Sequence, residues 1–153
     1  MIINKIYLEN FRNYAKQEIK LDKNINVFYG NNAQGKTNIL EALYICAFGR
    51  SFRTYKDAEL IKFDNESAKI KIDFEKKDRE KNIEILINKK DKKTIKLNGI
   101  KVNKNSELLG NMNIVLFSPD DSIILKESPA SRRKFLDILI SQLRPSYVHL
   151  LSE

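Results

Sequence analysis

The stretch Gly30–Thr37, GNNAQGKT, constrains what this chain can fold into more than any other. A compact apolar run, INVFY at 25–29, leads into it. A nearly continuous apolar run leads out of it to Phe48, with Glu41 the only charge between Thr37 and Phe48. A strand that leaves through a glycine-rich turn into a helix is the setting in which G-x-x-x-x-G-K-T describes a phosphate-binding loop. The run 25–29 therefore reads as a buried strand. Lys36–Phe48 reads as a helix buried on most sides, with Gly49 at its C-cap.

Each position has a physical task. Gly30 allows the sharp exit from the strand, and Gly35 lets the backbone come close to a β-phosphate. The N–H groups of Asn32–Thr37 cradle phosphate oxygens, aided by the positive end of the helix. Lys36 reaches the β- and γ-phosphates, and the Thr37 hydroxyl ligates Mg²⁺. This selects Gly30, Asn31, Asn32, Ala33, Gln34, Gly35, Lys36, Thr37 and Asn38 as the ATP-binding set.

Hydrolysis asks for more, because the metal is normally also held through an acidic residue ending a second apolar strand. The only candidate is NIVLFSPDD, with 112–117 as a buried strand. Asp120 and Asp121 come late, after Ser118 and Pro119, and a metal-anchoring acid, a turn residue and a secondary residue on the γ-phosphate side are all open readings. A single histidine (His149) and a single cysteine (Cys46) leave no material for a Cys/His zinc cluster or a Cys–His dyad. Cys46 reads as a core filler and His149 as a surface residue.

The net charge of +8 over 153 residues suits a polyanionic partner such as nucleic acid. No run approaches the ~20 apolar residues that span a bilayer. The N-terminus lacks the pattern of a secretory signal, and one cysteine makes no internal disulfide. These features point to the cytoplasm.

Along the chain, 2–9 and 17–21 read as strands, and a short helix is expected around Asp57–Ile61. Alternation at Ile70, Ile72, Phe74 and at Ile83, Ile85, Ile87 marks strands with one wet face. TIKLNGIKV reads as a hairpin turning at Asn98-Gly99. Residues 67–104 thus form an antiparallel meander, whose KKDKK at 89–93 reads as a solvated turn in preference to a dedicated DNA contact. Ser128 is the expected N-cap, and Pro129 the first residue, of a helix placing Phe135, Leu136, Leu139, Ile140 and Leu143 on one face. Arg132, Arg133 and Lys134 lie at the end of that helix which disfavours cations. Residues 1–143 read as one ATP-binding lobe. Residues 144–153 read as the start of a further helical segment that the chain ends within, a truncation.

Three features together resemble the RecF family of bacterial recombination and repair ATPases, relatives of the SMC and Rad50 group. They are LENFRNY at Leu8–Tyr14; GNNAQGKTNILEALY at Gly30–Tyr44 with GRSFRT at Gly49–Thr54; and FSPDD with SPASRRKFLD at Phe117–Asp121 and Ser128–Asp137. The resemblance implies an α/β P-loop NTPase fold of ABC type: a truncated head lobe with a mixed sheet and an antiparallel β subdomain. It implies that Arg12 and Asn13 approach the nucleotide, and that Ser118–Asp121 falls where relatives carry a Q-loop, although no glutamine occurs between 110 and 125. The family's signature motif and acidic Walker B motif lie in its C-terminal part and do not appear here. By resemblance the longer protein is a slow DNA-dependent ATPase. It dimerises with ATP, clamps single-stranded or gapped DNA, and works with the RecO and RecR proteins. Arg50 and Arg53 line either a DNA-facing or an inter-domain surface, and Arg132 and Arg133 are further DNA-contact candidates. Two other readings stay open: a small P-loop kinase and a non-catalytic nucleotide-binding module.

Overall fold

The computed structural model describes residues 1–117, 129–144 and 146–150. The strands are β1 (Ile2–Phe11), β2 (Tyr14–Lys20), β3 (Ser67–Lys76), β4 (Arg79–Asn88), β5 (Thr94–Leu97) and β6 (Ile100–Val102). The helices are α1 (Lys36–Phe48), α2 (Pro129–Leu143) and α3 (Tyr147–Leu150). Short 3-10 turns form at Asp57–Leu60 and Asn105–Glu107.

Period-two alternation builds one sheet of order β2-β1-β3-β4-β5-β6, antiparallel at every pairing. The meander at 67–104 is not set apart from the first strands, because β3 pairs directly with β1, Ile6 opposite Ile72 and Leu8 opposite Ile70. One face carries Ile6, Leu8, Ile70, Ile72, Phe74, Ile83, Ile85 and Ile87, all buried. Each such side chain stabilises the fold by roughly 1.5–3 kcal/mol. The other face is wet and charged, with Lys69–Glu84 at 2.9 Å, Lys71–Asp73 at 3.3 Å and Lys5–Glu18 at 3.5 Å. Exposed pairs of this kind contribute about 0–1 kcal/mol each, so apolar burial dominates. The turns follow their residues. Asn98-Gly99 takes positive φ at both positions between β5 and β6. In the KKDKK loop Lys89 pairs with Glu66 and Lys93 with Asp57.

Helix α1 buries Ile39, Ala42, Ile45, Cys46, Ala47 and Phe48 and joins the sheet's core cluster. Gly49 closes it at φ 71°, its N–H donating to the Ile45 carbonyl at 2.7 Å. A Cβ there would stand 2.7 Å from Asn105 Cγ, so this cap requires glycine for space as well as for φ.

Three expectations are corrected. Residues 25–29 form no strand, and Ile25, Val27 and Tyr29 are 80%, 75% and 91% exposed. Residues 112–117 also join no sheet; Met112 is buried, but Val115 and Phe117 are 80% exposed. Both runs carry strand-forming side chains, but no described strand lies beside either to complete its hydrogen bonds. Helix α2 is rotated from the expected face. Leu136 and Leu143 are exposed, whereas Ser141 and Gln142 are buried and Ile138 packs against the core. The reason is polar: Gln142 Oε1 accepts the Ile114 N–H at 2.8 Å, and its carbonyl accepts Asn113 Nδ2 at 3.0 Å. Pro129 opens α2 as expected. Ser128, Ser118–Asp121 and the side chains of Lys134 and His149 lie outside the described residues.

Candidate nucleotide-binding site

The loop is built on two glycines and one tight contact. Gly30 sits at φ 140°, and Gly35, the N-cap of α1, at φ 102°. A Cβ on Gly35 would lie 2.7 Å from Asn13 Oδ1 and 3.0 Å from Tyr14 Cε2. The turn between β1 and β2 therefore presses directly on the loop, where only glycine fits. Around this contact Tyr14 Oη donates to the Gly35 carbonyl at 3.3 Å, and Asn38 Nδ2 to Asn13 Oδ1 at 2.9 Å. Asn13 Nδ2 reaches the Ala33 carbonyl at 3.5 Å.

Helix α1 has no side-chain cap and no acidic residue in its first turn. Among the described residues, none of the backbone N–H groups of Asn32–Thr37 has a hydrogen-bond partner. Unpaired amides at a helix N-terminus form a ready anion cradle. The Lys36 ammonium arches over the loop, donating to the Gly30 carbonyl at 2.8 Å and the Asn31 carbonyl at 2.6 Å. An ammonium has three donors, so one remains for a ligand oxygen. Thr37 is exposed and lines the same pocket as Lys36. Asn32, Ala33, Gly35, Lys36, Thr37, Asn38 and Arg53 line a pocket of about 410 Å³. Amides, ammonium and hydroxyl are the donor set that triphosphate oxygens and a magnesium ion require. The described residues contain no group of three His, Cys, Asp or Glu fit to hold a metal. A magnesium ion here would thus be shared with phosphate oxygens and water.

Behind the loop lies a network that sequence reasoning missed. Glu41 is fully buried on α1. Arg12 grips it with two bonds, Nε to Oε2 at 2.9 Å and Nη2 to Oε1 at 2.7 Å. Ser51 Oγ donates to Oε1 at 2.6 Å, and Arg53 Nη1 reaches Oε2 at 3.3 Å. Burial pushes this carboxyl up, but the hydrogen bonds from Arg12 and Ser51 and the two guanidinium charges outweigh it and hold it below its usual value. The remaining Arg12 nitrogen donates to the Glu59 carbonyl at 2.8 Å. The signal was available: a lone carboxylate inside an apolar helix has to find cations.

The expected residues thus divide. Asn13, Asn38 and Arg53 are joined to the loop, since Arg53 Nη1 also donates to Asn38 Oδ1 at 2.8 Å. The Arg12 guanidinium is engaged on Glu41 and acts on the loop through α1. Arg50 does not line the loop pocket; it lines an adjoining one with Tyr44, Phe52 and Tyr55, and Arg53 lines both. Arg132 and Arg133 are exposed on α2.

A glycine loop with free amides at the head of a buried helix, backed by an antiparallel sheet, defines a P-loop nucleotide-binding protein with the fold of an ABC-type ATPase head. The chain belongs to the AAA domain family, which it matches over residues 5–143. It is similar to the DNA replication and repair protein RecF of Clostridium tetani, 54% identical over 151 residues, 99% of this chain and 41% of that protein. It is also similar to RecF of Acetivibrio thermocellus, 48% identical over 153 residues, 100% of this chain and 42% of that protein. Among solved structures it matches the recombination mediator protein RecF with ATP in the RecFOR pathway, with a TM-score of 0.90 and 42% identity, covering 98% of this chain and 40% of that one. A structure of an SMC ATPase follows at TM-score 0.72 and 26% identity, covering 91% of this chain and 99% of that one. The chain therefore spans about two-fifths of the length of the curated relatives it matches.

Proposed function

We propose that this chain is the ATP-binding lobe of a RecF-type protein of DNA replication and recombinational repair, working in the cytoplasm. The observation that carries it is the loop itself: six unpaired amides from Asn32 to Thr37 under the Lys36 ammonium. The amides and Lys36 take the β- and γ-phosphates of ATP, and Thr37 holds Mg²⁺, which adds charge neutralisation when bound. Asn13 and Asn38 set the loop's shape, and Glu41 anchors the arginines behind it. The similarity to RecF proteins supports DNA as partner, RecO and RecR as associates, and ATP-dependent pairing of two copies in the longer protein. The net charge of +8 supports a polyanionic partner. The described sheet has no parallel pair, which disfavours a small P-loop kinase. No described helix is long and apolar enough to cross a membrane.

Calorimetric titration with MgATP tests this reading. Lys36→Ala is expected to weaken binding about 10- to 100-fold, since a charged hydrogen bond is worth roughly 1.5–3 kcal/mol. An unchanged affinity would contradict the assignment.

A further inference from the structure

The register of the β3–β4 hairpin sorts its charges by face. The face that carries Phe74 and Ile83 in the core continues outward through Lys76, Arg79 and Lys81, with Lys76 opposite Arg79 and Phe74 opposite Lys81. Glu75 and Glu80, paired with each other, take the opposite face. Where the apolar stripe ends, three cations replace it with no carboxylate among them. With Lys77 at the turn they line a pocket of about 670 Å³, closed by Gly110, Asn113 and the end of α2.

Lys76 and Lys81 are held in place but not neutralised. Lys76 donates to the Gly110 carbonyl and, at 2.6 Å, to Asn113 Oδ1. Lys81 donates to Asn111 Oδ1 at 3.2 Å. All three acceptors are uncharged. The side chains of Lys77 and Arg79 are exposed and have no partner among the described residues. Burial first, then the charges of Lys81 and Lys77, hold the Lys76 ammonium below its usual pKa. The turn is costly as well: Lys77 and Asp78 both adopt positive φ, 52° and 57°, where Asn-Gly is the relaxed choice. Strain at non-glycine residues is an observation that points toward function.

We infer that the pocket formed by Lys76, Lys77, Arg79 and Lys81 binds the phosphodiester backbone of DNA. The inference rests on the proposed DNA-repair function and gives its DNA partner a place on the chain. Phosphate oxyanions supply the charge that these cations lack, and a strand of DNA supplies several in succession.

The test compares two doublets of equal charge change. Lys77→Gln with Arg79→Gln alters the pocket and leaves the structural bonds of Lys76 and Lys81 intact. Lys90→Gln with Lys92→Gln alters the KKDKK loop. Binding of a labelled single-stranded oligonucleotide is measured between about 50 and 200 mM salt. The pocket doublet is expected to weaken binding roughly tenfold and to lower the salt slope by about 1.4, roughly 0.7 for each phosphate of the single strand no longer neutralised. The loop doublet is expected to change affinity less than about twofold. Equal effects of the two doublets would overturn the inference while leaving DNA binding in place. Absence of DNA binding by the parent chain would overturn the DNA reading and this site together. A parent chain whose tripolyphosphate binding, but not DNA binding, depends on Lys77 and Arg79 would show a free-anion site and also overturn it. Matching circular dichroism melts of parent and doublets confirm that the comparison is made between folded proteins.

Discussion

Gly35 and Glu41 are the residues on which the site turns. Gly35→Ala meets Asn13 Oδ1 at 2.7 Å and a φ of 102° that side chains avoid. A destabilisation of about 1–3 kcal/mol is expected from backbone strain of this kind, with weakened ATP binding; urea unfolding and calorimetry measure both. Full stability would show that the turn between β1 and β2 does not press on the loop. Glu41→Gln leaves the Arg12 guanidinium without its carboxylate, at a cost of about 3 kcal/mol. Its pKa is lowered in the fold, so its contribution is complete above the ordinary glutamate value of about 4.3 and is lost as pH falls through the lower folded value. The parent chain should therefore lose stability below about pH 4 more steeply than Glu41→Gln, and parallel acid profiles would rule the network out. At this scale the motif was legible because fixed residue types at fixed spacing carry the phosphate chemistry. The partners of Glu41 were not, since Arg12, Ser51 and Arg53 come from separate parts of the chain and only folding brings them together.

Among the elements, alternation made the sheet legible. Ile70, Ile72 and Phe74, and Ile83, Ile85 and Ile87, revealed both the strands and the buried face. The runs 25–29 and 112–117 misled, because apolar composition reports a tendency to be buried and not the neighbour that would bury it. Helix α2 misled for another reason: Gln142 wins the inward position through hydrogen bonds to the segment 113–114, which no periodicity encodes. The β3–β4 turn offers a prediction at this scale. Replacing Lys77-Asp78 by Asn-Gly relieves two positive φ values and should raise stability by about 1 kcal/mol in thermal unfolding. Lower stability in the Asn-Gly variant would show that the turn is not strained.

The molecule as a whole combines a tight sheet-and-helix core with a set of exposed apolar side chains. Cys46 is fully buried and its thiol is pushed far up by burial, so it should react with a thiol reagent only on unfolding. Rapid labelling of native protein would place α1 outside the core. Ile25, Val27, Tyr29, Val115 and Phe117 all expose strand-forming side chains, so binding of an apolar dye to the folded chain is expected. A dye-silent native state would argue that these residues are covered. The backbone of Asn32–Thr37 is the proposed receiver of phosphate. Amide hydrogen exchange of the chain with and without MgATP measures that backbone directly. Slowed exchange concentrated at Asn32–Thr37, and absent with AMP, is the expected result. Unchanged exchange at these amides under MgATP saturation would contradict it.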